Sequence, residues 1–388
     1  MRVLYVTNLF PDRSRPGFAP FNRQQLVHLA KLHEIRSIVP LAWPHRLGLL
    51  AKGTRPGPPD DCAGMKFDFP TYYYTPKIFR DAYWRFYLWS IRQAFMRAAA
   101  DLEPDIVYAS WAYPDCRAVA ELAGACRLPI VCRLHGSDIN DYFRFPGRKH
   151  LALDAMRMAQ GIVSINEDLA ARLRYEGIEP AKIHVVYNGV DRDIFKPGDR
   201  DRSRSLLGLG REKKIILFAG NLKPVKGIDL LLAALSGMEP PGVELHLLGR
   251  GPEQGHLEQL AVSEGLSGRV FFHGGVKYPA MVHWYNAADV FCLPSLHEGT
   301  PNVILESLAC RVPVVASRTG GIPEIVTPRS GILFECGDYR SLRAALEESL
   351  RREWDRSAIE CPAETWAINA QRVTEVFADA IRSFAGRP

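Results

Sequence analysis

No run of this 388-residue chain stays apolar for the ~20 residues that a membrane-spanning helix needs. Its start, Met1-Arg-Val-Leu-Tyr-Val6, enters a strand directly and has none of the regions of a signal peptide. The eight cysteines (62, 116, 126, 132, 292, 310, 336 and 361) form no C-x-x-C pair, and no histidines cluster beside them. A structural zinc and a disulfide scaffold are therefore not expected; most of these thiols sit in apolar surroundings and read as reduced core residues of a cytoplasmic protein. No nucleic-acid-binding motif, close internal repeat or low-complexity tract is visible.

What is present is ordinary globular material in quantity. Hydrophobic residues make up 47% of the chain, and the length suits two domains of roughly 190 residues each. The net charge of +6 is uneven: residues 1–195 hold 26 Lys+Arg against 20 Asp+Glu, and the remainder 23 against 23. A basic first half suits an anionic substrate or an anionic membrane surface.

The first half alternates short apolar strands with helical stretches. Val3–Val6 is a buried strand, followed by the loop 10–20, where Gly17 is expected to supply backbone angles other residues avoid. Phe21–Leu32 reads as a helix, so strand, loop and helix suggest the first unit of a doubly wound sheet. A Pro- and Gly-rich excursion runs to Pro59. Asp81–Ala100 reads as a helix rich in Tyr, Trp and Phe with Arg85, Arg92 and Arg97 between them. It fits either buried core or a contact with a membrane surface or lipid acceptor. Strands at Pro104–Ser110, Leu128–His135 and Gly161–Asn166 follow, and the second delivers His135-Gly-Ser-Asp138 at its end. The charged, Gly-containing stretch Phe195–Lys213 reads as an interdomain linker; it is preceded by Asp191-Arg-Asp193, a weak candidate for metal.

The strand pattern restarts at Ile215–Gly220 and runs into Asn221-Leu-Lys-Pro-Val-Lys-Gly227, whose Lys223 and Lys226 suit an anionic group at a strand end. Gly249, Gly251 and Gly255 only loosely imitate a dinucleotide fingerprint, and a tight turn is the better account. The most informative stretch is Cys292–Cys310. A strand ends at Leu293, Pro294–Gly299 forms a loop, and Thr300 reads as an N-cap with Pro301 at the first helical position. Backbone N–H groups at Thr300, Asn302 and Val303 would then face an anion. Glu298 precedes this helix, and Glu306 lies roughly 7–8 Å beyond Pro301 at ~1.5 Å rise per residue. That is about the span from a diphosphate to the ribose of one nucleotide, although an ordinary loop carboxylate and an ordinary helix carboxylate would look the same.

Taken in order, several pieces resemble the retaining glycosyltransferases of family 4, which have the GT-B fold. They are Gly17, His135-Gly-Ser-Asp138, Asn188-Gly-Val-Asp191, Lys226-Gly227, Gly249-x-Gly-Pro252, and Glu298-x7-Glu306 leading to Gly320-Gly-Ile-Pro-Glu324. The resemblance implies an α/β chain with two Rossmann-like, doubly wound domains facing across a cleft. The acceptor domain would be 1–195, with a terminal helix within 365–388 crossing back onto it, and the nucleotide-sugar domain 196–364. Of the catalytic group it implies, His135 would approach the reacting carbon, Glu298 would face the donor sugar and Lys226 would hold the diphosphate. Glu306 would bind ribose, and the donor site would further take in Thr300, Pro301, Asn302, Val303, Gly299, Gly17, Lys223, Asn221, Gly249, Gly251 and Val276. Phe18, Asp138 and Asn188 fall on the acceptor side. No metal or other cofactor is implied, because lysine and a helix N-terminus would meet the phosphate charge.

Two departures stand out. Asn221 occupies a position where the family commonly has Arg, which makes Lys223 a candidate replacement, and Arg311 stands where Gly is usual. The expected activity is transfer of a sugar, from a UDP-sugar by preference, to a glycan or lipid-linked acceptor at the inner face of a membrane, with no nucleic acid involved. Rival readings are a nucleotide-sugar epimerase or hydrolase of the same fold, a pyridoxal-dependent phosphorylase, and a non-catalytic nucleotide-sugar-binding protein.

Overall fold

The computed structural model describes residues 1–62, 64–75, 78–238 and 242–386, and divides into two compact units, Met1–Gly189 with Trp366–Pro388, and Val190–Thr365. In the first, β1 (Arg2–Val6), β2 (Glu34–Ile38), β3 (Leu41–Ala42), β4 (Lys66–Asp68), β5 (Thr71–Tyr72), β6 (Ile106–Ser110), β7 (Ile130–Arg133), β8 (Gly161–Ser164) and β9 (Ile183–Val185) alternate with helices. Seven of these form one parallel sheet in the order β4-β2-β1-β6-β7-β8-β9, while β3 and β5 pair separately. Every residue of β6, β7 and β8 is buried, which is why they read as unbroken apolar runs rather than alternating ones.

The second unit contains β10 (Lys214–Ala219), β11 (Val243–Leu248), β12 (Val270–Gly274), β13 (Val290–Leu293), β14 (Val314–Ser317) and β15 (Gly331–Phe334), all parallel, in the order β12-β11-β10-β13-β14-β15. In both sheets the strand order reverses beside the first strand, and ligands of such sheets bind beyond the strand carboxyl ends at that switch point. In the second unit the switch lies between β10 and β13.

The terminal helix Trp366–Ala385 belongs to the first unit. Its Phe377 ring stands 5.0 Å from that of Tyr108, Gln25 donates to Asn369 at 2.7 Å, and Val376 covers Gly161. The aromatic helix spans Tyr83–Leu102 and is two-sided. Tyr87, Ile91, Phe95, Ala98 and Leu102 lie in the core at helical spacing, while Phe86, Trp89 (71% exposed) and Met96 lie outside with Arg85, Arg92 and Arg97.

Several expectations are corrected. The stretch 195–213 is no linker. Phe195 is fully buried against Tyr278 and Tyr285, and Arg200–Leu207 is a helix capped by Asp199. Arg204, 1% exposed, donates to the Asp289 carboxylate at 2.8 Å and to the carbonyls of Ala287 and Arg211. The crossing between units falls at Gly189/Val190, six residues before the expected boundary. Asp191 accepts the N–H groups of Asp193 and Ile194, so the D-x-D is a turn. The excursion after β3 contains the helix Trp43–Ala51. In the first loop the left-handed residue is Ala19, with φ 46°, whereas Gly17 is not left-handed. All eight cysteines are free, but Cys336 is exposed.

Arg311 has an account in the backbone. It follows the helix Asn302–Ala309 with φ 57°, and the bonds Arg311 N–H to Leu308 O (2.9 Å) and Val312 N–H to Ser307 O (3.0 Å) close a Schellman turn. That position favours glycine because a Cβ is strained in the left-handed region. Relief of a strain of roughly 1–2 kcal/mol, less the chain entropy of glycine, leaves a gain of about 0.5–1 kcal/mol for Arg311→Gly. Thermal unfolding checks this; an unchanged or lower melting temperature contradicts it.

Candidate functional site

The second unit gathers four loops beyond the carboxyl ends of its central strands, and glycines let them touch. A Cβ on Gly249 would stand 1.8 Å from the Gly220 carbonyl oxygen, and one on Gly251 2.1 Å from that of Leu222. One on Gly227 would meet the Pro294 oxygen at 2.2 Å, and one on Gly320 the Glu298 oxygen at 2.1 Å. Backbone bonds complete the cluster: Leu222 N–H to Arg250 O, Leu296 N–H to Val225 O and Gly321 N–H to Gly299 O. Gly249 and Gly251 thus serve close backbone approach.

Across this cluster the Lys226 ammonium reaches the Glu298 carboxylate at 2.5 Å, joining the loop after β10 to the loop after β13 at the switch point. The Ser295 hydroxyl donates to the same oxygen at 2.7 Å. Both members of the ion pair are largely shielded, so a bound anion would compete with a neighbouring carboxylate for Lys226. Lys223 and Asn221, in contrast, are exposed on the same loop.

The helix after this loop begins one residue later than expected. Pro301 is the cap, with extended backbone and no side-chain cap bond, and Asn302 is the first helical residue; Thr300 is buried and is not the cap. Glu306 lies inside the helix, 8% exposed, with Tyr285 Oη donating to its Oε2 at 2.8 Å. Burial pushes the Glu306 carboxyl up to about 8, and the Tyr285 bond opposes that rise. Val276 packs at the edge of the core after β12.

In the first unit, His135 stands at the end of β7 with Nε2 2.6 Å from Ser110 Oγ, its ring against those of Phe21 (4.8 Å) and Trp111 (6.1 Å). Burial first, and the Arg133 charge second, hold this imidazole well below its usual pKa, so it is neutral at pH 7. Asp138 is wholly buried: Oδ1 takes the His135 N–H and Oδ2 the Ala112 N–H, both at 2.9 Å. It clamps two strand-end loops, and burial raises it to about 6 against its backbone donors. Asn188 accepts from Arg133 at 2.7 Å, and Phe18 lies under the Arg15 guanidinium.

Sequence reasoning missed the side chains that hold these groups. Tyr285, Ser110 and Arg133 gave no local signal, because each meets partners far off in sequence; Ser295 lies in the same loop as Glu298, three residues before it. Arg250, between Gly249 and Gly251, was legible as a cation in a turn; its guanidinium lies along Gly274 and Gly275. Among the described residues, no group of three or more His, Cys, Asp or Glu is placed to hold a metal.

A family model described as Glycosyltransferase Family 4 matches residues 41–194, and one described as Glycosyl transferases group 1 matches residues 199–365. The D-inositol 3-phosphate glycosyltransferase of Mycobacteroides abscessus is 32% identical over 234 residues, which is 58% of this chain and 52% of that protein. D-inositol 3-phosphate glycosyltransferase 2 of Catenulispora acidiphila is 31% identical over 264 residues, 63% of this chain and 61% of that protein. The match thus spans about half to three fifths of the length of these curated relatives. Among solved structures, sucrose-phosphate synthase of Thermosynechococcus elongatus superposes with a TM-score of 0.74 at 19% identity, covering 98% of this chain and 97% of that one. Anabaena Alr3699/HepE in complex with UDP-glucose gives 0.71 at 22% identity, with both chains covered completely. At such identities these two likenesses establish the fold.

Proposed function

The chain belongs to glycosyltransferase family 4 and has the GT-B fold, and from that premise we propose that it is a retaining transferase of a sugar from a nucleotide-sugar donor to a glycan or lipid-linked acceptor. The observation that carries the reading is the Lys226–Glu298 pair at the switch point, followed by the helix that holds the buried Glu306. Lys226 would take the diphosphate, Glu298 the hydroxyls of the donor sugar, Glu306 the ribose, and His135 would stand near the reacting carbon. A UDP-sugar is the favoured donor, which fits the UDP-glucose named with the Anabaena structure. No dedicated base is needed if the leaving phosphate deprotonates the acceptor on the same face. The phosphate charge would be met by Lys226, Lys223 and the helix start without a metal.

The test is transfer from labelled UDP-, GDP- and ADP-sugars to a supplied acceptor, with and without EDTA. Acceptor-dependent, EDTA-resistant product of unchanged anomeric configuration is expected. Product without any acceptor would favour an epimerase or hydrolase, and binding without turnover a non-catalytic module. An inositol phosphate belongs in the acceptor panel as the second reading, because the curated relatives carry that name.

Lys223 stands on the loop where the family's usual arginine is Asn221. A charge-assisted hydrogen bond contributes ~1.5–3 kcal/mol, so Lys223→Ala should weaken nucleotide binding roughly tenfold or more. Titration calorimetry reads this. Unchanged affinity in Lys223→Ala alongside a loss in Arg250→Ala would move the role to Arg250.

A lipid-linked acceptor implies work at a membrane. Among the described residues no helix is long and apolar enough to cross one. The outer face of the helix Tyr83–Leu102 offers Phe86, Trp89 and Met96 between three arginines, a composition suited to the surface of an anionic bilayer. Co-sedimentation with anionic vesicles at low salt, reversed by high salt, is expected. Trp89→Ala with Arg92→Glu should abolish it, and a protein that stays in solution at low salt contradicts the idea.

A further inference from the structure

Beneath the strand end that carries His135 lies a guanidinium bonded to no carboxylate. Arg133 is fully buried, and its bonds run to neutral amide oxygens. Nη1 donates to Asn22 Oδ1 at 3.2 Å and Gln25 Oε1 at 2.5 Å, Nη2 donates to Asn188 Oδ1 at 2.7 Å, and Nε is sealed without a partner. A buried cation held this way is costly and easily replaced by an apolar side chain in a purely structural role.

The bonds run in one direction only. Asn22 Nδ2 donates to the Leu9 carbonyl at 2.7 Å, which turns its Oδ1 toward Arg133. Asn369 Nδ2 donates to the Tyr187 carbonyl at 2.6 Å, so its Oδ1 accepts from Gln25 Nε2 and the Gln25 oxygen also faces Arg133. Asn22 Oδ1 has no hydrogen to give, so the bond across the 3.3 Å to Ser110 is donated by the Ser110 hydroxyl, and the Tyr5 hydroxyl beside Ser110 can donate to the same serine oxygen. Having spent its one hydrogen, Ser110 Oγ can only accept from His135 Nε2 at 2.6 Å. In that arrangement the hydrogen of the neutral imidazole falls on Nε2. Nδ1 carries the lone pair, and it has no partner among the described residues.

We propose that Arg133 is a positioning residue for His135: acting through Asn22 and Ser110, it fixes the Nε2–H tautomer and leaves Nδ1 as a hydrogen-bond acceptor for a hydroxyl of the bound sugar. The sugar contact rests on the reading of His135 given above; the tautomer does not. Burial and the Arg133 charge act in the same sense, both keeping the ring neutral. Without the guanidinium, Asn22 is held by the Leu9 carbonyl alone, its oxygen no longer faces a fixed cation, and Ser110 can send its hydrogen either way, so both tautomers become accessible.

The experiment is long-range ¹H–¹⁵N correlation of the full chain labelled at histidine nitrogens, with His135 assigned by comparison with His135→Gln. The wild-type signal should be that of a neutral Nε2–H ring with an unprotonated Nδ1. Ser110→Ala, a mild change in a buried site, and Arg133→Met should each convert it to a tautomer mixture. A wild-type Nδ1–H ring, or an unmixed Nε2–H signal in folded Arg133→Met or in Ser110→Ala, overturns the proposal; should Arg133→Met fail to fold, the wild-type and Ser110→Ala spectra decide. A nucleotide sugar should shift the wild-type Nδ1 resonance. If instead His135→Gln transfers sugar at the full rate, the sugar contact falls while the tautomer result stands.

Discussion

Glu298→Ala lowers the rate of sugar transfer by roughly two to four orders of magnitude while leaving nucleotide diphosphate binding unchanged or tighter. The two halves of this expectation have separate causes. In the protein as it stands, Lys226 is paired with Glu298 at 2.5 Å, and Ser295 supports the same carboxylate oxygen. A diphosphate must draw Lys226 away from that carboxylate, so removing the carboxylate takes away a competitor. The sugar, however, loses the group proposed to orient its hydroxyls, and orientation that acts in the transition state shows in the rate. Isothermal titration with the nucleotide and steady-state transfer, measured on one preparation, separate the halves. Equal losses in both would mean that Glu298 only props up the loop. Full transfer in the variant would remove it from the reaction.

That pairing was only half legible in the sequence. Glu298 and Glu306 could be singled out because their spacing along one loop and helix is a local property. The Lys226 partner is 72 positions away, and it arrives there only because β13 lies beside β10 in the sheet. The strands themselves were easy to read, since parallel strands covered on both faces are continuous apolar runs. Sequence and structure part where a charged or glycine-bearing stretch has a structural reason invisible in composition. Arg200–Leu207 looks like a solvated linker until Arg204 is seen buried on Asp289. Gly17 looked like the special residue of its loop, yet the left-handed backbone falls on Ala19. Arg133, inside the strand Leu128–His135, has no signal of its own in the sequence because its partners, Asn22, Gln25 and Asn188, are polar but uncharged and lie far off in sequence.

Affinity for a nucleotide sugar should rise with pH between 6 and 8. Glu306 is raised from 4.5 to about 8 by burial, so the unliganded protein holds this carboxyl largely protonated at neutral pH. Two hydroxyls of a ribose are donors, and donors favour the ionised carboxylate. Binding must then release a proton, and the complex binds fewer protons than the free protein throughout the window. With a free-state pKa of about 8, the ionised fraction grows roughly 50-fold from pH 6 to pH 8, and the dissociation constant should fall by up to that factor. The same shift bears on folding with the opposite sense. The unfolded chain ionises this group above 4.5 while the folded chain keeps its proton to about 8, so stability from this group declines as pH rises between the two values and levels off above. A nucleotide sugar is the proper probe, because its diphosphate is a diester without a proton to lose in this range. Calorimetry in buffers of different ionisation enthalpy counts the released proton directly. Glu306→Gln cannot titrate and should bind weakly with a flat profile, which distinguishes Glu306 from Asp115 and Asp138, the buried carboxyls raised to about 7 and about 6 in the first unit. Tyr285→Phe removes the one hydrogen bond that opposes the rise, so its profile should move to higher pH. A wild-type profile as flat as that of Glu306→Gln would show that the ribose does not meet this carboxylate.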